Sequence, residues 1–340
     1  MDDYSAQAIL QPADPPSSAP ADALRASPPE MPAASEECEP AARPGDPLID
    51  FAYACLRREY ASLLEHTPRR AEVPAPENVH KLRIATRRLR TALRLFRRVL
   101  PAKKAASLRK QLRWLARSLS EVRDLDVYVE SFRVYAETLP REQLPDLSGY
   151  DSHLRGARAE ARSSLRALFA EQRYADLLDS FAAFLDGAPS PAAVRRWDAA
   201  RIDGRFEKRV RKSAKRVQKL GRKIGRRVQA KKLHKLRIRT KRLRYELEFF
   251  SAVHPALEST AKEAKTLQDV LGAHQDACTA SARLERYLRS PPDHGQPAGA
   301  PAALEQLLES QQRKAREARR AFVAEWRRFE SNIARTSLAA

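Results

Sequence analysis

The sequence predicts an all-α protein made of two pseudo-symmetric helical bundles that arose by internal duplication. Three observations carry this expectation. From Pro47 onward apolar residues recur at three- and four-residue spacing, and no alternating run suggests a strand. The composition, with 10 Gly, 7% aromatics and abundant Ala, Leu and Arg, favours helix over sheet. Finally, VHKLRIATRRLRTALRLFRRVLP at 79–101 returns as LHKLRIRTKRLRYELEFFSAVHP at 233–255, with thirteen of 23 positions identical at an offset of 154.

Residues 1–46 are rich in Pro, Ala, Ser and acid. Such a segment cannot bury enough apolar area to offset its ordering entropy, so it is expected to be a disordered tail. The helical domain should then fill 47–335, with a first repeat at about 47–190 and a second at about 191–335. LIDFAYACLRREYASLLEH reads as the first helix, and the Pro-rich EVPAPEN ends it. Asn78 is a suitable cap for the first basic helix, which should run to about Leu100 before Pro101. A long amphipathic run follows, from AASLRKQL to VYAETL, then a helix through Phe169 and a shorter one near 174–185. Helical spacing resumes after Ser190. The second basic helix comes next, then helices at about 257–289 and 302–333, separated by PPDHGQPAGAP. Two such units should meet about a pseudo-two-fold axis, lining their junction with equivalent residues.

The net charge is +21, although residues 1–47 hold nine acids and two bases, leaving about +28 on the remainder. A charge that large repels itself unless a polyanion neutralises it. Cys38, Cys55 and Cys278 are far apart and lack metal-ligand spacing, so unpaired thiols and no metal are expected. No apolar run approaches the length of a membrane span, and the N-terminal residues do not read as a secretory signal. These features suggest a cytoplasmic protein.

A helical wheel at about 100° per residue sets Leu82, Leu89, Leu93, Phe96 and Leu100 on one apolar stripe. His80, Arg83, Arg87, Arg90 and Arg94 fall nearly opposite. The second copy places His234, Arg237, Lys241 and Arg244 on the same face, with Glu248 where the first has Arg94. Like charges at such spacing oppose helix formation by a few tenths of a kcal/mol per pair, roughly. Even so, no acid occurs from Lys81 to Lys110. An unmixed row implies an anionic occupant, either carboxylates of the protein or a ligand. Arginines one turn, about 5.4 Å, apart suit a chain of phosphates better than one small anion.

HKLRIATRRLR and HKLRIRTKRLRY resemble the signature of the CHAD family, the conserved histidine α-helical domain. LARSLSEVRDLDV and LQDVLGAHQDA resemble the segments that follow each signature helix. The resemblance spans about 47–335 and implies two bundles around a basic cavity, binding of inorganic polyphosphate, and association with polyphosphate granules. By motif position it transfers the ligand-binding role to His80, Arg83, Arg87, Arg90, His234, Arg237, Lys241 and Arg244. On the wheel Arg88 and Arg242 lie at the flank, where structural ion pairs with Asp124 and Asp276 are expected. Arg57, Arg58, Arg209 and Lys212 from the preceding helices are candidates to line the same space.

Three function classes follow. Non-catalytic polyphosphate binding fits the paired rows. Nucleic-acid binding is the alternative, because RFEKRVRKSAKRVQKLGRKIGRR could track a phosphate backbone, although aromatic platforms for bases are scarce. Phosphoryl-transfer catalysis needs metal-holding carboxylates and a positioned nucleophile. The sequence offers only Asp124 and Asp126, which read as structural, so no catalytic residue and no cofactor are expected.

Overall fold

The computed structural model describes residues 47–68, 72, 74–187, 202–225, 229–289 and 302–335. The tail at 1–46, Cys38, the junction of the two repeats and the connection at 290–301 lie outside the described residues. Those described form helices α1 (Leu48–Glu65), α2 (Pro76–Leu95), α3 (Ala102–Ala136), α4 (Ser148–Ala170), α5 (Gln172–Asp186), α6 (Ile202–Gly225), α7 (Ala230–Ser251), α8 (Leu257–Arg289) and α9 (Ala302–Arg335). The helical expectation therefore holds throughout them. The helix triplet α1–α2–α3 begins at 48, 76 and 102, and α6–α7–α8 at 202, 230 and 257. These starts keep the 154-residue offset to within one residue, and within each triplet consecutive helices pack on one another.

The bounds of α2 differ from the sequence reading. The helix opens two residues before Asn78, at Pro76, whose fixed φ suits a first helical position and whose missing N–H is not needed there. It closes after Leu95, where Phe96 donates its N–H to Ala92 O at 2.9 Å. Phe96, Val99 and Leu100 remain buried after the helix has ended, and their spacing made the helix look five residues longer.

The apolar stripes of both triplets meet in one core. Leu82, Leu89 and Leu93 of α2, Leu112, Leu115 and Leu119 of α3, and Leu236, Leu243 and Leu247 of α7 are at most 1% exposed. Burying each such side chain stabilises the fold by about 1.5–3 kcal/mol, an upper bound set by an extended unfolded chain. The triplets are joined by rings: Phe51 of α1 lies 5.8 Å from Phe96 and 5.6 Å from Phe250, and Phe96 lies 6.3 Å from Phe249. A smaller second core lies beyond, where α3 and α8 outrun the first. It gathers Phe132, Tyr150, Leu154, Leu284, Tyr287 and Leu304.

The last helix packs mainly along α8 and meets α6 at one close approach. Trp326 of α9 lies against Gly221 of α6, with Phe322 and Phe329 at 6.3 and 5.9 Å from its ring. A Cβ at Gly221 would overlap the indole ring. Gly221→Ala is therefore expected to destabilise the protein by about 1–3 kcal/mol, as overpacking does, read from the midpoint of urea unfolding.

Candidate functional site

Beside the apolar stripes that build the core, the cationic side chains of α2 and α7 come near one another. Lys241 of α7 marks the meeting point. The cations acting on it are Arg87, Arg237, Arg83 and Arg244, two from each helix, and Asp269 of α8 lies near it and Arg244. Burial, and after it these four guanidinium groups, pull its ammonium from an ordinary 10.5 down to about 6. The two rows thus converge. Between them stands Tyr245, 3% exposed, with Arg87 5.5 Å and Arg244 4.6 Å from its ring centre.

The same crowding acts along α2. Burial, then Arg87, lowers Arg83 to about 10, and burial, then Arg242, lowers Arg94 to about 10. Arg90 is lowered by burial and then by Arg113, Arg109, Arg87 and Arg117. The buried Nε–H groups of Arg83, Arg87, Arg90, Arg94 and Arg237 have no hydrogen-bond acceptor among the described residues. A buried donor left unmet costs about 1–3 kcal/mol. The cluster thus holds several buried cationic donors that no described residue meets.

The two histidines differ. His80 is half-buried, its Nδ1 lacks a partner, and burial followed by Arg123 and Arg83 lowers its pKa. His234 is exposed and its Nδ1 lies 2.8 Å from Gln275 Oε1. Arg123 and Gln275 hold matching places after the two signature helices. So do Asp124, which faces Arg83, and Asp276, 4.0 Å from Arg237.

Several expected roles are corrected. Arg88 does not pair with Asp124. It donates from Nε to Glu59 at 2.7 Å and from a terminal nitrogen to Glu248 at 3.4 Å, because α1 and α7 approach it more closely than α3 does. Glu248 also lies 3.3 Å from Arg244, so the acid that departs from the repeat ties the two halves together. Arg242 is exposed and repels Arg94, and Asp276 is held by Arg237 instead. Arg57 points away from the rows, donating to Leu185 O of α5 at 3.2 Å, and Arg58 lies against Glu59 at 3.4 Å. Arg209 does reach the Arg94 end, where it binds the buried Glu246 at 3.1 Å. Lys212 is exposed on the face of α6 opposite its packed Val210, Ala214 and Val217, outside the cluster. Asp126 has the structural role expected of it, accepting from Arg158 at 2.7 Å and Arg162 at 3.3 Å.

Sequence reasoning missed Arg109, Arg113, Arg117 and Arg123 of α3. A signal was present: the stretch without acids continues from Val79 to Ser120, and three of these arginines recur every four residues. A cavity of 530 Å³ lies elsewhere, between α3, α4, α8 and α9. Val127, Phe132, Tyr150, Leu284 and Leu307 line it, and no arginine of α2 or α7 does.

This helical domain with paired arginine rows matches the CHAD domain family model over residues 54–285. The chain belongs to the CHAD family. Two Mycobacterium tuberculosis proteins, each titled an uncharacterized protein, are similar: MT2285 of strain CDC 1551 / Oshkosh and Rv2226 of strain H37Rv. Each is 29% identical over 227 residues, covering 64% of this chain and 41% of the relative, so the chain spans well under half their length. Among solved structures, PptA from Streptomyces chartreusis has a TM-score of 0.64 at 19% identity, covering 83% of this chain and 100% of its own. The CHAD domain from the plant Ricinus communis has a TM-score of 0.58 at 23% identity, covering 84% and 93%. At these identities the likeness concerns the fold.

Two outcomes are expected. Lys241→Met should raise the melting temperature of the ligand-free protein at low salt by about 2–4 °C, because a lysine buried beside four arginines must give up its proton or hold its charge against them, and Met does neither. Arg88→Met should cost about 3–5 kcal/mol in chemical denaturation, because Glu59 and Glu248 lose the cation between them.

Proposed function

We propose that the chain binds inorganic polyphosphate without transforming it, through a basic cavity between α2 and α7, and that it does so at cytoplasmic polyphosphate granules. The observation that carries this reading is the convergence of Arg83, Arg87, Arg237 and Arg244 on Lys241, with buried guanidinium donors that find no acceptor among the described residues. Membership of the CHAD family supports it, since the resemblance that identifies the signature helices implies the same ligand. Guanidinium offers paired donors to phosphate oxygens and keeps its charge at neutral pH even when lowered to about 10. Nearby carboxylates are engaged by arginine, Glu59 and Glu248 on Arg88 and Asp126 on Arg158, which favours holding an anion over phosphoryl transfer. Chain length, partners and granule role of any larger protein belong to the same proposal.

Titration with long-chain polyphosphate tests it. Changing Arg83, Arg87, Arg237 and Lys241 together to Glu should weaken binding at least about 100-fold, and five engaged cations imply a loss of about 100-fold between 50 and 200 mM salt. Unchanged affinity in the variant defeats the reading, and tighter binding of duplex DNA at equal phosphate concentration points to nucleic acid instead.

Binding should also depend on pH. Lys241 titrates near 6 in the free protein, and a bound polyanion restores its charge, so binding takes up a proton between about 6 and the ordinary 10.5. Affinity is expected to fall as pH rises through that window, and Lys241→Arg should flatten the fall, measured by calorimetry at pH about 6 and about 8.5.

A further inference from the structure

We propose that the outer face of α6 is a second polyanion surface, and that it takes a second strand of polyphosphate while the row between α2 and α7 holds the first. The bridging part of this inference rests on the function proposed above; the surface itself does not.

Lys208, Lys212, Lys215, Arg216, Lys219 and Lys223 are all exposed. At about 100° and 1.5 Å per residue they cover an arc of about 100° and a length of about 22 Å. The opposite side of the helix, with Val210, Ala214, Val217 and Ile224, is buried. The sequence has no acid from Lys208 to Tyr245. The carboxylates that reach α6 do so at its flanks, Glu246 on Arg209 and Glu330 on Arg222. Among the described residues none pairs with the six outward cations. The stripe continues sideways onto α7, whose exposed Arg239 donates to Arg216 O at 3.1 Å.

Ordinary solvent faces of this molecule are built differently. On α9 Arg313 lies 4.0 Å from Glu317, on α8 Lys262 lies 2.8 Å from Glu258, and on α3 Arg133 is flanked by Glu130 and Glu137 at 2.9 and 2.7 Å. Each follows the rule that exposed helical charges alternate in sign at three- and four-residue spacing. Beyond screening by dissolved salt, an anionic occupant offsets the repulsion along such an unmixed row. A flexible phosphate thread can follow a straight, convex row along its whole length. A stiff duplex meets such a row at few phosphates, and none of the six positions offers a ring for base stacking. The two surfaces also differ in chemistry. Inner guanidinium groups are buried and directional, whereas outer ammonium groups are hydrated point charges, so the outer contact should be the more salt-sensitive. One molecule with two such faces joins two strands and raises the local concentration of each about the other.

A two-layer capture experiment tests this. Immobilised polyphosphate captures the protein, and fluorescent polyphosphate is then added. The wild type should hold the second label. The outer-face variant Lys208→Glu, Lys212→Glu, Lys215→Glu, Lys219→Glu, Lys223→Glu, checked for native helicity by circular dichroism, should be captured within about threefold of wild type yet hold at least about tenfold less label. Replacing the same lysines by Arg should keep the label, showing that charge rather than side-chain shape matters. Retention of the label by the Glu variant overturns the proposal, as does better capture of a fluorescent DNA duplex than of polyphosphate at equal phosphate. The variant with Arg83, Arg87, Arg237 and Lys241 changed to Glu separates the two readings. If it is captured as well as wild type, the inner row is not the first site, and loss of all capture in the outer-face variant then assigns binding to α6 alone, overturning the bridge.

Discussion

Like charges resist being brought together, and this fold is organised around overcoming that resistance. Four guanidinium groups from two helices converge on Lys241 without an equal number of carboxylates. Apolar burial provides the counterforce. The leucines that close the main core lie on the reverse sides of the same helices, so the stripe that stabilises the protein is also what forces the arginines together. Carboxylates are used sparingly. Glu59 and Glu248 clamp Arg88, Glu246 holds Arg209, Asp124 and Asp276 approach one end of the rows, and several guanidinium donors still face no acceptor among the described residues.

The duplication distributes this load. Equivalent helices begin 154 residues apart, and the residues after each signature helix, Asp124 with Arg83 and Asp276 with Arg237, recur in matching places. Equivalence stops where the halves touch. Glu248 stands where the first copy has Arg94, and that single reversal of sign supplies the carboxylate reaching both Arg244 and Arg88. Perfect repetition would have put another arginine there and removed one of the anchors between the halves.

Much of the fold was legible because helices announce themselves through local spacing. The bounds of α8 match the apolar pattern, and the rows on α2 and α7 could be drawn on a wheel before any packing was known. What remained hidden depends on which helices become neighbours. Arg88 needed α1 and α7 beside it to reveal Glu59 and Glu248. Arg109 and Arg113 joined the site only once α3 lay along α2, although the absence of acids hinted at it. Arg57 shared a sequence neighbourhood with the site but was turned toward α5 by helix phase. Nothing local marks Gly221 as the seat of Trp326, because the indole comes from a helix about a hundred residues away.

The second core, around Phe132, Tyr150, Tyr287 and Leu304, is small, and α3, α4, α8 and α9 each run from it into the first. Four continuous helices therefore couple the two cores. Loosening that end means fraying helices that also carry the leucine-rich body, so its backbone amide protons should be protected nearly as well as those beneath the cationic rows.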